Sequence, residues 1–430
     1  MMAAAAPLPA TRAAAPLVSY ALFAAMLSAA GLPIYIHAPK VYAEDYGIGL
    51  GLLGAVLFAL RLFDVVQDPA LGWVVARLGP WRGFAVALSV AAMALAMLGL
   101  FALSPPFSPV IWFAVTLALM FTAYSFLTIA FYARGVERAR GMGASGHLRV
   151  AGWREGGALT GVTIAAMAPA VLAPLTPAPY AVFALSFVLL SAVATWAMRA
   201  EWQGAAEPSP LGFAAVLRDP TALRLLILAA VNAAPLAVTA TLFLFFVESR
   251  LAAPGWEGPL LILFFLSAAA AAPFWARAAE THGARAVLLT AMALSILSFG
   301  FAATLGAGDI WPFALVCIAS GAMLGADTVI LPALFARRLA AIAPEAEDAA
   351  SQGFGLWSFA SKLTLAFAAV SLLPLLESAG FTTGGANPDS ALRMLSILYA
   401  LVPCVLKLAA IALLLATPLI LLYVGVWAFG

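Results

Sequence analysis

The densest chemistry in this sequence is the stretch Arg61-Leu-Phe-Asp64-Val-Val-Gln-Asp68-Pro69-Ala-Leu-Gly72, two acids and a base inside apolar surroundings. On a helix, Arg61, Asp64, Asp68 and Gly72 follow i, i+3, i+7, i+11 spacing and form one stripe on one face. Two carboxylates a turn apart repel unless a cation or proton sits between them, and Arg61 neutralises only part of the pair. This is the electrostatic outline of a monovalent-cation site. Pro69 lacks an amide hydrogen and leaves the Val65 carbonyl without its helical partner. A freed carbonyl lining a cavity is a natural sodium ligand. The competing explanation is a buried salt-bridge cluster that locks helices together, although a lock needs one pair rather than two acids and a proline.

The elements that must position these groups follow from composition. Of 430 residues, 65% are hydrophobic and 9% charged, about a third of the charge of a soluble protein. That excludes a water-soluble enzyme. A bilayer core takes about 20 apolar residues per helical crossing, and spans are expected at 17–37, 47–75, 83–103, 109–133, 148–172, 179–198, 223–247, 257–278, 284–304, 311–336, 352–376 and 391–424. The predicted fold class is an all-α polytopic membrane protein with twelve transmembrane helices in two six-helix bundles. Its parts are an N-terminal bundle over 1–198, a cytoplasmic central loop over 199–222 and a C-terminal bundle over 223–430. The first residues read as a short tail and a retained first helix, with signal cleavage as the alternative.

Fourteen arginines, from Arg12 to Arg338, fall on one side of these spans, while Lys40, Arg250 and Arg393 fall on the other. The excess of basic residues marks the first side as cytoplasmic, with both termini inside. The halves echo each other: Pro69-Ala-Leu-Gly72-Trp73-Val-Val-Ala-Arg77-Leu-Gly79-Pro-Trp-Arg82 after span two matches the order of Pro273-Phe-Trp275-Ala-Arg277-Ala-Ala-Glu-Thr-His-Gly283-Ala-Arg285 after span eight. Such a repeat favours a duplicated transporter over a receptor or channel. With 21 basic against 19 acidic residues, no nucleic-acid footprint is present. There is no phosphate-binding loop, no His-Glu-x-x-His helix and no serine with a base at recognisable spacing, so the enzyme readings fail. Cys317 and Cys404 sit in apolar runs as small hydrophobes.

An ionised group near the bilayer centre costs several kcal/mol unless it faces a cavity or a partner. Lys362, about ten residues into span eleven, is expected to be an electrostatic partner of the span-two acids. Arg154 and Glu155 at the start of span five fit either a gate pairing across the bundles or a snorkelling helix start. Asp327 in span ten fits a gate or a helix-end pair. Asn232 precedes Pro235 in span seven and borders a substrate cavity or makes an interhelical amide contact. Lys407 in span twelve is expected to be peripheral, facing headgroups. Gly152 to Gly156 and Gly157 to Gly161 are four-residue small-residue intervals that permit close helix approach.

Arg61-x-x-Asp64-x-x-x-Asp68-Pro69-x-x-Gly72 resembles the span-two signature of the glycoside-pentoside-hexuronide cation symporters, the melibiose-permease-like branch of the major facilitator superfamily. Gly47-Ile-Gly-Leu-Gly-Leu-Leu-Gly54, Arg149-Val-Ala-Gly-Trp-Arg154 and Ser361-Lys362-Leu363 agree with it. The resemblance implies that Asp64 and Asp68 bind Na+, Li+ or H+ with help from Thr122, that Lys362 lies near, and that no other cofactor or metal is used. It also implies a monomeric secondary transporter in a bacterial inner membrane, carrying a small organic solute such as a sugar or sugar acid. Lysolipid carriers share the resemblance, and a scaffold or assembly factor that kept the fold is the alternative of another class.

The sugar-binding members carry an acid in span one and another in span four, whereas here span one has none and span four offers Thr122, Tyr124, Ser125 and Thr128. Ala76 also stands where the superfamily usually has an aspartate. Melibiose-type galactosides are therefore not expected as cargo. Arg61, Tyr124, Ser125, Asn232, Trp357 and Lys362 are the expected solute-binding or coupling residues.

Overall fold

A computed structural model describes residues 17–143, 145–202, 213–342, 347–382 and 387–417. Arg12 and the N-terminal tail, 203–212 of the expected central loop, and the end of the last expected span lie outside the described residues. The described chain is helical, with helix at each of the twelve expected spans, and among the described residues ten of these helices, all but those of spans one and two, are long and apolar enough to cross a membrane.

Span one is broken. Val18–Ala29 stops at Ala30, and Leu32–Tyr46 restarts after Gly31, with Pro33 in the first turn of the new segment, where a missing amide does no harm. Gly47 closes that segment with φ +67°, the left-handed C-terminal geometry that glycine adopts without steric penalty. Span two, Leu50–Arg77, stays helical through Pro69. Spans three to six are Arg82–Phe101, Pro109–Arg140, Gly146–Leu172 and Pro179–Met198. Span four thus continues well past its expected end, so Arg134, Arg138 and Arg140 ride on the helix rather than in a loop.

A short helix, Phe213–Arg218, precedes span seven, Pro220–Phe245, whose N-cap Asp219 accepts a hydrogen bond from the Ala222 amide at 2.7 Å. Spans eight to eleven are Glu257–His282, Ala284–Ala302, Ile310–Ile342 and Glu347–Ser378. Span twelve runs Asp389–Ser396, widens into a π-turn at Ile397–Leu401, and continues as Val402–Ala416. The widening has a local cause, since Pro403 has no amide for the Tyr399 carbonyl and its ring crowds that turn. Span seven ends in a second π-turn, Phe246–Arg250, and Phe246 stacks on Tyr399 with ring centroids 4.2 Å apart.

One apolar core is drawn entirely from residues between Leu17 and Trp202, another entirely from Ala237 to Ala400, and a third from both halves. Within the first half, Gly157 and Gly161 bring span five against the backbone of Ala21 and Ala25 of span one, where any Cβ would collide. This bears out one small-residue interval. In the other, Gly152 packs on Ala276 of span eight, while Gly156 faces open space.

Between the halves, span two packs on span eleven and span five on span eight. A Cβ on Gly72 would lie 2.9 Å from the Ser351 carbonyl, and one on Gly355 would lie 3.0 Å from the Asp68 carbonyl. Together with the Gly152–Ala276 and Tyr132–Phe354 contacts, these join the halves on the side towards the arginine-rich loops.

Candidate functional site

The span-two stripe is real, and span eleven closes it. Asp64 and Asp68 are 4% and 0% exposed. The Lys362 ammonium donates to Asp64 Oδ1 at 2.8 Å, to Asp68 at 3.0 Å and to the Ser125 hydroxyl of span four at 2.7 Å. An ammonium has three N–H bonds, and all three are used. Ser125 in turn donates to Asp64 Oδ1 at 2.8 Å, and Ser358, one turn before Lys362, hydrogen-bonds Asp68. Three helices therefore converge on one cation held between two carboxylates.

Gln67 was not singled out by the sequence, yet its side-chain amide donates to Asp64 Oδ1 at 3.1 Å and its carbonyl accepts from Thr122 at 3.0 Å. Thr122 thus reaches the acid through Gln67. Arg61, one turn before Asp64, is half-buried and has interactions of its own. One ammonium against two carboxylates leaves the Asp64–Asp68–Lys362 group one negative charge in excess, spread over hydroxyl and amide donors.

A second polar cluster lies across span eleven. Lys407 is 3% exposed, and its ammonium bonds the Asn232 side-chain carbonyl at 2.7 Å and the Asp327 carboxylate. The expectation that Lys407 is peripheral is therefore corrected. It points inward because a partly buried carboxylate and a buried amide, from spans ten and seven, offer what the hydrocarbon cannot. Asp327 pairs with this lysine inside the second half rather than with a basic residue at its own helix end.

The cluster borders a cavity of about 240 Å³ whose wall also includes Tyr132, Glu155, Trp357 and Ser361. Trp357 is held there by Phe335, with ring centroids 5.1 Å apart. Tyr124 is not among the lining residues and packs near Gly31 at the break in span one. Ser125 likewise serves the carboxylates and not the cavity.

Arg154 and Glu155 are buried, so neither snorkels. Arg154 Nε donates to Glu155 at 2.8 Å while its guanidinium lies 3.6 Å over the Tyr132 ring. Tyr132 also donates to Glu155 at 3.0 Å, and its ring meets Phe354 of span eleven edge-on. The ion pair is thus internal to the first half, and the aromatic ring makes the contact across the seam.

Span eleven joins the two clusters. Trp357 and Ser361 present one face to the cavity, and Lys362, the next residue, holds the span-two acids. Any shift of this helix is felt at both places. Among the described residues, no group of three or more acidic, histidine or cysteine side chains could hold a metal ion.

The family model for MFS/sugar transport proteins matches residues 17–420. Among curated proteins, none matches this chain. Among solved structures, the chain is similar to a bacterial homologue of the iron transporter ferroportin in its outward-facing state, at 14% identity and TM-score 0.67 over 92% of this chain and all of that one. The same homologue with soaked iron gives TM-score 0.66 over 93% and 99% of the two chains, again at 14% identity. The human organic anion transporter MFSD10 gives 16% identity and TM-score 0.61 over 91% and 98%. At these identities the likeness concerns the fold.

Proposed function

We propose that this chain, which belongs to the MFS/sugar transport protein family, carries a small organic solute in symport with Na+, Li+ or H+ by alternating access. It is an integral membrane transporter of the major facilitator fold and not an enzyme. The observation that carries the coupling proposal is the Lys362 ammonium, bonded at once to Asp64, Asp68 and Ser125. In this reading the lysine is a tethered stand-in for the coupling ion. When the ion enters, it takes the same oxygens, and Lys362 is released together with the helix that lines the cavity.

The arginine-rich side is taken as the cytoplasm of a bacterial inner membrane, so the seam closed by Gly72, Gly355 and Gly152 makes this an outward-facing state. Opening that seam then requires span two to part from span eleven, which ion exchange at Lys362 favours. A lysolipid carrier, the alternative within the same resemblance, needs a cavity with few hydrogen-bonding groups to take an acyl chain. It has little support from a wall bearing Asn232, Asp327 and Lys407.

The test is uptake into proteoliposomes under an imposed sodium or proton gradient. Accumulation above the equilibrium level, abolished in Asp64→Asn and Asp68→Asn while both variants remain folded, supports the proposal. Unchanged gradient dependence in both variants removes it.

A further inference from the structure

We propose that the groove between spans one, five and eight holds one anionic phospholipid of the cytoplasmic leaflet, of the phosphatidylglycerol type, and that this lipid stabilises the closed seam. The groove is a second cavity, of about 760 Å³, and shares no lining residue with the cavity beside Lys407. Its walls run from Val18 to Ala25 on span one, from Arg149 to Thr160 on span five and from Ala269 to Glu280 on span eight. The inference goes beyond cargo and coupling, and it uses only the assignment of the arginine-rich side as cytoplasmic.

Polarity along the groove has one direction. Its three charged residues, Arg149, Arg277 and Glu280, lie at the cytoplasmic ends of spans five and eight. Trp153, one turn further in and exposed, is an amphipathic ring of the kind that sits at a membrane interface. Beyond it the wall is apolar but for Thr160, whose hydroxyl is spent on the Gly156 carbonyl of its own helix at 2.7 Å. From Arg149 to Thr160 the helix makes eleven steps of about 1.5 Å, or about 16 Å. Half of a hydrocarbon core is about 15 Å. A groove that is charged at headgroup level and apolar for one leaflet's depth is complementary to a single lipid of that leaflet.

The concavity comes from missing side chains. A Cβ on Gly156 would meet nothing within 4 Å, while Gly152 and Gly157 on either side close against Ala276 and Ala21. The floor is therefore a strip of span-five backbone between two helix contacts.

Charge selects the headgroup. Arg149 and Arg277 are exposed, and among the described residues neither makes an ion pair. Two guanidiniums and the Glu280 carboxylate leave the mouth with one positive charge in excess, which a singly charged phosphodiester cancels. Arginine is the preferred donor to phosphate oxygens, and basic pockets between helices on the cytoplasmic side suit anionic lipids. The hydroxyls of a glycerol headgroup then donate to Glu280. A zwitterionic lipid brings no net charge and leaves the excess in place.

Spans one and five belong to the first half and span eight to the second. Parting the seam at Gly152 and Ala276 separates Arg149 from Arg277 and dismantles the groove. A ligand that binds only the closed arrangement shifts the equilibrium towards it by its differential affinity.

The test is thermal stabilisation of the purified full chain in detergent by dioleoylphosphatidylglycerol, with native mass spectrometry of the same samples. Dioleoylphosphatidylcholine, dioleoylphosphatidylethanolamine and soluble glycerol 3-phosphate are run in parallel. Phosphatidylglycerol is expected to stabilise the wild type saturably and at least tenfold more tightly than the other three, with one lipid retained per monomer. Combining Arg149→Gln with Arg277→Gln should abolish that preference and keep any response to sodium. Gly156→Leu leaves both guanidiniums and fills the apolar floor, and it should weaken phosphatidylglycerol binding at least tenfold. In vesicles, Ser351→Cys at the seam should react with a water-soluble maleimide more slowly in phosphatidylglycerol than in phosphatidylcholine.

A phosphatidylglycerol preference unaltered in either groove variant overturns the proposal, as does equal stabilisation by a zwitterionic lipid or by glycerol 3-phosphate. So does equal labelling of Ser351→Cys in the two kinds of vesicle. A wild-type dimer that Gly156→Leu dissociates would assign the groove to a second copy of the chain and overturns it too.

Discussion

Replacing Lys362 by methionine keeps the length of the side chain and removes the tethered cation, which makes it the sharpest perturbation of the cluster. Lys362 donates to Asp64, Asp68 and Ser125 at 2.8, 3.0 and 2.7 Å. Hydrogen bonds to charged groups contribute about 1.5–3 kcal/mol each. Taking the lower figure for the two carboxylate bonds alone gives about 3 kcal/mol by which the ammonium opposes an entering ion. At roughly 1.4 kcal/mol per factor of ten, the Lys362→Met protein should bind its coupling ion about a hundredfold more tightly.

In sodium-free buffer the same change strips the partner from two buried acids, a loss of about 3–5 kcal/mol. The variant should therefore be unstable without the ion and recover with it. Thermal unfolding across a sodium titration, with a pH titration alongside, measures both effects, because stabilisation follows the logarithm of ion concentration over its dissociation constant. Sodium and pH midpoints unchanged from wild type, or shifted to weaker binding, would refute the idea that Lys362 and the ion compete for one place.

Three other outcomes are expected. Gly72→Val forces a side chain into the Ser351 backbone, where a Cβ already lies 2.9 Å away. Overpacking of about 1–3 kcal/mol then falls on the closed seam, and a cysteine at the buried Ser351 should become reactive towards a water-soluble maleimide. Single cysteines at Ser209 and Gly255 should label from opposite sides of the membrane, the first from inside and the second from outside; the same sidedness would overturn the span order. Asp219, which caps span seven and accepts from Arg338 at 2.9 and 2.5 Å, has its carboxyl held below the ordinary carboxylate range, first by the Arg338 hydrogen bonds. A depressed value gives stability that is present above about pH 3.9 and lost as the pH falls further. Asp219→Asn keeps the cap acceptor but loses the charge that pairs with Arg338, and should thus lower stability by about 0.2–1 kcal/mol at neutral pH, the gap to wild type narrowing in acid.

What the sequence revealed was governed by local spacing, and what it hid by distance along the chain. Asp64, Asp68 and Pro69 declare themselves because one helical turn separates the acids. Lys362 was legible from its depth in span eleven, since a lysine ten residues into a span needs a partner. Gln67 lies between the acids but off the stripe, and only the approach of span four turns it into the link to Thr122.

Lys407 was misread because nothing within a dozen residues is acidic, while its partners Asn232 and Asp327 are 175 and 80 positions away. A charge balance of the second half would have helped, for Asp327 and Lys407 are opposite charges that both sit inside spans with no local partner. The π-turn at Ile397–Leu401 was hinted at by Pro403, whereas its pairing with the turn at Phe246–Arg250 is a matter of packing. Helix termini erred where arginines extended span four, since a charged helix can continue beyond the bilayer as readily as a loop can.

The central claim is that the oxygens around Lys362 are where the coupling ion binds, and equilibrium binding tests it without knowledge of the solute. Radiolabelled sodium bound to purified protein, together with proton uptake after a pH jump, should give a saturable signal in one of the two channels for wild type. That signal should be lost in Asp64→Asn and in Asp68→Asn and strengthened in Lys362→Met. Sodium binding and proton uptake identical to wild type in all three variants would contradict the account.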